Sequence, residues 1–280
     1  MAEERTLVSF DWALKSILRR KDNFDILEGF LTDLLGYGVT IDELLESESN
    51  KDGESDKFNR VDLKARDDKG KEIIIEVQYN SEIDYLRRVY FGAAKSLVDD
   101  MKEGYKYAKI KKIISVNILY WQLFVGTYAV HGAARFMDLV HDNVIRLPRD
   151  EDVFAEYYFI QPKFFGDEVK TALDEWVYMF KHSKVKGEIA ATNIGKVQEK
   201  LDRLKMTEKE RRIYEEYQMN MVRNENTMLS QRREGKAEGI AEGQAKAKIE
   251  MAVEMLADGE PLEKIMRYTK LTKDEIESLR

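Results

Sequence analysis

Asp62, Glu76 and Gln78 are the side chains whose types and spacing best suit chemistry, because residues 60–79 read as two strands joined by a tight turn. Ile73, Ile75, Val77 and Tyr79 alternate with Ile74, Glu76 and Gln78, the two-residue period of a strand. A three-residue loop Asp68-Lys69-Gly70, with Gly70 left-handed, pairs Asp67 with Lys71 and sets Asp62 opposite Glu76. Paired residues share a face, so both carboxylates and Gln78 converge there. A two- or four-residue loop instead places Asp62 opposite an odd-numbered residue and separates the carboxylates across the sheet. Two acids side by side on so apolar a strand are costly without a cation between them. A hard divalent ion, Mg²⁺ or Mn²⁺, is the natural candidate, since it takes carboxylate, carbonyl and water oxygens.

The elements that must position these groups follow from periodicity. Residues 7 to about 36 read as helical, with Leu14, Ile17, Leu18, Phe24, Leu27, Phe30, Leu31, Leu34 and Leu35 at helical spacing and Gly36-Tyr37-Gly38 as the stop. Residues 46–59 are polar and acidic, a solvated loop leading to the hairpin. Ser81 to Lys102 is helical, with Tyr85, Val89, Ala93 and Leu97 at four-residue intervals, and Lys112 to Leu123 is a buried strand. Residues 124–165 supply more strand, including Tyr157-Tyr158-Phe159-Ile160. Helix, hairpin, helix, strand is an α/β order.

From about Asp167 onward the chain reads as helical, through an apolar helix at Trp176–Phe180 and a charged stretch from Ile189 to Ser230. Gly235, Gly239 and Gly243 follow at four-residue spacing, either a smooth stripe for close backbone approach or a weak connector, since each helical Gly costs about 1 kcal/mol relative to Ala. Ile249–Ala257, the turn Gly259-Glu260-Pro261 and the capping box Thr272-Lys273-Asp274-Glu275 make a small helical tail. It evokes a helix-turn-helix without an arginine-rich recognition face, which favours dimerisation or docking over DNA reading.

Composition removes several functions. There is no cysteine, which excludes disulfides, thiolate zinc sites and cysteine nucleophiles. His131, His141 and His182 lack metal-ligand spacing, and no Gly-rich phosphate loop followed by Lys-Ser/Thr exists. The opening Met1-Ala2-Glu3-Glu4-Arg5 leads into no long apolar run and no stretch approaches membrane-spanning length, so a soluble, cytoplasmic protein is expected. The net charge of −7 does not advertise nucleic-acid binding, but residues 61–115 are net +2 against −6 for residues 1–60.

Asp62, followed after a hairpin by Glu76-x-Gln78, resembles the Asp…(Asp/Glu)-x-Lys core of the PD-(D/E)xK nuclease superfamily. More narrowly, the chain resembles the recombination-promoting nuclease / putative transposase family, whose final position is typically Gln. Asp11-x-x-x-Lys15, Gly104-x-x-Tyr107, Gln161-Pro162-Lys163-Phe164 and Trp176-Val177-Tyr178-Met179-Phe180-Lys181 resemble family landmarks in order and spacing. The resemblance implies a restriction-endonuclease-like core, a mixed sheet flanked by helices, with a mostly helical C-terminal region. The corresponding division is 1–181 nuclease domain, 182–230 helical extension, 231–248 Gly-containing connector and 249–280 helical tail.

It also implies a Mg²⁺- or Mn²⁺-dependent DNA endonuclease with Asp62, Glu76 and Gln78 as its catalytic residues. Asp62 and Glu76 are the expected ligands, with the Val77 carbonyl as a third. The ion lowers the pKa of a bound water and stabilises charge on the attacked phosphate. Gln78 is neutral and orients water rather than supplying charge, which predicts slow or metal-demanding turnover. Lys64 shares a face with Asp62, as a displaced lysine or a solvated strand residue. Asp11 resembles the acid of the family's first core helix, against an ordinary helix cap at Ser9 or Asp11. Lys15 is a candidate phosphate contact or an i, i+4 partner of Asp11. Arg87 and Arg88 are candidate DNA-backbone contacts or plain surface charge, as is the run Lys102, Lys106, Lys109, Lys111 and Lys112. A nuclease-fold binding module without turnover, with an oligomerising helical tail, is the alternative.

Overall fold

The hairpin turn sets the register of the sheet. In the computed structural model, β2 (Leu63–Asp67) and β3 (Glu72–Gln78) are joined through Asp68-Lys69-Gly70, and Gly70 has φ 76°. Asp67 N–H donates to the Lys71 carbonyl at 3.0 Å, and Asp67 Oδ1 accepts from the Lys69 and Lys71 N–H groups at 3.0 and 2.7 Å. The antiparallel ladder then runs Arg66↔Glu72, Ala65↔Ile73, Lys64↔Ile74 and Leu63↔Ile75. This is the register expected of the three-residue loop. The structure describes residues 7–16, 18–45, 63–99, 107, 110–147, 153–187, 191–202 and 205–279. Asp62, the acidic loop 46–59, and Lys102, Lys106 and Lys109 lie outside the described residues.

β3 is the pivot between two kinds of pairing. On one side it pairs antiparallel with β2, which pairs antiparallel with β1 (Ile41–Leu45). On the other it runs parallel to β4 (Ile113–Leu119), and β4 runs parallel to the strand Glu156–Ile160. Between those two lie β5 (Ala129–Gly132), β6 (Phe136–Asp138) and β7 (Asn143–Ile145), which makes Glu156–Ile160 β8. The six-stranded mixed sheet has the order β1-β2-β3-β4-β8-β5, and β6 and β7 form a separate two-stranded hairpin. β3 and β4 are buried along nearly their whole length, the mark of central strands covered on both faces.

Each face has its helices. α3 (Tyr85–Asp99) covers the face of Ile74 and Leu119, where Tyr85 and Val89 pack with Leu119 and Phe159, and Ala93 packs with Ile74 and Ile113. The expected helix from Ser81 starts only at Tyr85. The long N-terminal helix expected over residues 7–36 is divided into α1 (Phe10–Ser16), a 3-10 turn at Lys21–Asn23 and α2 (Phe24–Leu35), because Arg19-Arg20-Lys21-Asp22-Asn23 supplies no apolar face to carry one helix through. Gly36, at φ 73°, ends α2 by donating to the Thr32 carbonyl. α1, α2 and α4 (Ala172–His182) meet through Phe10, Phe30, Trp176 and Phe180, with the Phe10 and Phe180 rings 4.4 Å apart. Tyr120 donates to the Phe180 carbonyl at 2.8 Å, tying that cluster to the end of β4.

Chain contacts divide the molecule into residues 1–211 and 212–280. α5 (Ile194–Lys200) closes the first unit's helices. α6 runs unbroken from Glu208 to Ala257, straight through Gly235, Gly239 and Gly243, so the good helix formers between them outweigh the glycines. Within the second unit, α7 (Leu262–Thr269) and α8 (Lys273–Glu277) fold back so that Ala252, Ile265 and Ile276 share a buried cluster. Both bonds of the expected Thr272–Glu275 capping box are formed. Among the described residues, no helix is long and apolar enough to cross a membrane.

Candidate active site at the C-terminal end of β3

Glu76 and Gln78 occupy the last turn of pleat on β3, at the carboxyl ends of the parallel strands, where α/β sheets usually present their ligand sites. Alternation puts both on the α3 face. Glu76 is 8% exposed and Asn117 of β4 stands beside it in the ladder. Gln78 is half-buried, and its Nε2 donates to the Asn80 carbonyl at 3.2 Å. Val77 faces the opposite layer and is buried.

A buried carboxylate needs a compensating charge. Arg88, one turn into α3, supplies it: Nη2 lies 2.5 Å from Glu76 Oε1, and Nε lies 3.0 Å from Glu82 Oε2. The guanidinium carbon stands 5.0 Å from the centre of the Tyr85 ring, a cation–π distance. Burial works against the Arg88 charge, yet the Glu76 carboxylate, with Glu82 and Tyr85, more than offsets it and holds the guanidinium pKa above its ordinary value. Tyr85 is itself fixed: it is fully buried, and its hydroxyl donates to Asn117 Oδ1 at 3.0 Å. Asn117 Nδ2 donates in turn to Ser115 Oγ at 3.0 Å and to the Tyr158 carbonyl at 3.3 Å. Glu76, Arg88, Tyr85 and Asn117 thus form one connected group across β3, β4 and α3.

Of the other expected site residues, Lys64 and Arg87 are paired elsewhere, and Asp62 lies outside the described residues. Lys64 lies across from Ile74 and its Nζ is 2.9 Å from Glu72 Oε1, so its charge is committed to Glu72, which also accepts from Ser96 Oγ. Arg87 is exposed and pairs with Asp84. Arg88, expected as a DNA-backbone contact or surface charge, is instead turned inward to Glu76. Asp11 sits inside the first turn of α1, since Phe10 opens the helix and Ser9 takes the cap position; its side chain is buried. Of Lys15 only the backbone is described, as part of α1.

The rim at this end of the sheet is the loop from Tyr120 to Tyr128, held by Gln161. Gln161 Oε1 accepts from the Leu123 and Phe124 N–H groups at 2.6 and 3.0 Å, and its Nε2 donates to the Phe124 and Thr127 carbonyls at 3.0 and 2.9 Å. The expected landmark Gln161-Pro162 is therefore a structural clasp.

Oxygen donors and a position already suited to positive charge beside Glu76 fit a hard divalent cation. Among the described residues no group of three His, Cys, Asp or Glu side chains could hold an ion, and Asp62, the other expected carboxylate, lies outside them.

The mixed six-stranded sheet flanked by helices, followed by a long helical C-terminal region, is consistent with a PD-(D/E)XK nuclease fold. Residues 8–231 match the model of the PD-(D/E)XK nuclease family transposases, and the chain belongs to that family. Searches of the curated proteins and of the solved structures find no match. Nucleases of this class generally use divalent metals.

Proposed function

We propose that the protein is a metal-dependent DNA endonuclease of the transposase- or recombination-associated kind, hydrolysing phosphodiester bonds at the end of β3. The observation that carries this reading is the buried Glu76, with Gln78 two residues on, in a chain of the PD-(D/E)XK nuclease family. Asp62, Glu76 and the Val77 carbonyl are the proposed ligands of Mg²⁺ or Mn²⁺. When bound, the ion supplies a lowered water pKa and charge stabilisation at the phosphate. Gln78 orients the attacking water by donating and accepting hydrogen bonds, and its neutrality makes turnover slow. Asp11 assists from α1, and Lys15 and Arg87 are proposed backbone contacts for DNA, while Lys64, held on Glu72, supports the strand rather than the substrate. A cytoplasmic location, self-association through the helical C-terminal region and the four-part division at 181, 230 and 248 belong to the same reading.

The test is plasmid incubated with Mg²⁺ or Mn²⁺, against a chelator control and Asp62→Ala. Cleavage is expected with the ion and lost in both controls; cleavage that survives Asp62→Ala rules out this site. A second reading, a nuclease-fold module that binds DNA or protein without turnover, is favoured by the neutral Gln78. It predicts no nicking with either ion but retention of labelled duplex.

A further inference from the structure

Transfer of a phosphoryl centre to water builds negative charge, and a fixed cation near the reacting phosphate is worth far more than a neutral donor. Gln78 cannot supply that charge, and Lys64 is engaged on Glu72. Among the described residues, Arg88 is a cation that does reach Glu76. We propose that Arg88 is an exchangeable cation: it neutralises Glu76 while no metal is bound, and when an ion takes Glu76 its guanidinium turns to the scissile phosphate. This deepens the nuclease reading above and rests on it.

The geometry suits such an exchange. Arg88 Nη2 sits on Glu76 Oε1, the oxygen an incoming ion competes for, and two cations on one carboxylate oxygen repel each other. Release from Glu76 does not cast the guanidinium loose, because the Glu82 carboxylate remains at ion-pair distance from Nε and the Tyr85 ring still lies beneath it. Tyr85 is pinned by Asn117, the neighbour of Glu76 in the ladder, so the pivot is anchored to the strand beside the one that carries the acid. The planar guanidinium fork then matches a phosphate in two-point fashion, which an ammonium cannot do.

The full-length chain is titrated calorimetrically with Mn²⁺ alone, without DNA, and plasmid cleavage is measured separately at saturating Mn²⁺. Removing the competing charge in Arg88→Met is expected to tighten Mn²⁺ binding about tenfold. The same variant is expected to lower kcat roughly 10²-fold. Arg88→Lys keeps the charge without the fork and falls between wild type and Arg88→Met in both measurements; it carries the test alone if Arg88→Met does not fold. Unchanged or weaker Mn²⁺ binding in Arg88→Met, wild-type kcat in that variant, or wild-type behaviour of Arg88→Lys in both measurements overturns the exchange. Glu76→Gln separates the two levels. If it binds Mn²⁺ and cleaves like wild type, the nuclease reading of this site fails; if it does neither while Arg88→Met is indistinguishable from wild type, only the exchange fails.

Discussion

The Tyr85 hydroxyl donates to Asn117 Oδ1 at 3.0 Å, and both groups are buried, so a polar contact joins a helix to a strand beneath Arg88. Tyr85→Phe leaves the Asn117 oxygen without that donor in a place water does not reach. A loss of about 1–3 kcal/mol is expected by denaturant unfolding of the full chain. A neutral result would mean that Asn117 re-pairs, and that the Tyr85 ring alone positions Arg88.

Gly70 closes the hairpin at φ 76°, and a Cβ there would stand 3.3 Å from Lys111 Cε. The lysine end can yield, but the backbone cannot. Gly70→Ala is expected to cost about 1 kcal/mol, and Gly70→Asn less, because Asn tolerates the left-handed region. Equal stability of all three chains in urea would remove the turn as the element that sets the β2–β3 register.

Acid should weaken the fold through Asp174. Burial pushes its carboxyl up, but the Tyr128 hydroxyl and the Lys170 and Thr171 N–H groups outweigh this and hold the pKa below the usual carboxylate value. Burial, with that same carboxylate beside it, pushes the Tyr128 phenol up to about 12. A folded pKa below the unfolded one contributes stability above the unfolded value, about 3.9, which is lost as pH falls through the folded pKa. Asp174→Asn should therefore be less stable at neutral pH and show a flatter loss of melting temperature below about pH 4. Parallel pH profiles for the two proteins would contradict this.

Gly235, Gly239 and Gly243 lie inside α6, and a methyl group added at any of them would meet nothing within 4 Å. Replacing each with Ala should raise helix stability by about 1 kcal/mol, seen as a higher melting temperature in far-ultraviolet circular dichroism. A lower melting temperature would show that the glycine stripe is a surface for close approach of another backbone.

The hairpin was legible because two local signals agree: the alternation around Glu76 and a glycine three residues after Asp67. The helix over Tyr85–Asp99 was legible from four-residue spacing, although its start was not, since Ser81-Glu82-Ile83-Asp84 carries no signal that forbids a turn. β1 carries no readable strand signal, because Ile41-Asp42-Glu43-Leu44-Leu45 puts two acids in an edge strand, and edge strands tolerate charge. At the site, Glu76 and Gln78 could be read from one strand. The roles of Arg88 and Asn117 could not, because the first depends on how α3 packs on β3 and the second on a parallel register between β3 and β4, neither of which a local pattern encodes. The Tyr85–Arg88 spacing of three residues on a helix was the available hint. Asp62, outside the described residues, remains a reading of the sequence.

Gln161 gives the neighbouring loop an unusual constraint for a segment at the rim of a sheet. Its four side-chain hydrogen bonds tie residues 123–127 to the end of β8, and another path for that segment has to give them up. That segment consequently behaves as an extension of the sheet, a rigid wall whose contour is decided during folding. Whatever approaches the carboxyl ends of β4 and β8 has to accommodate itself to that wall, and adaptive movement is left to the side chains of α3.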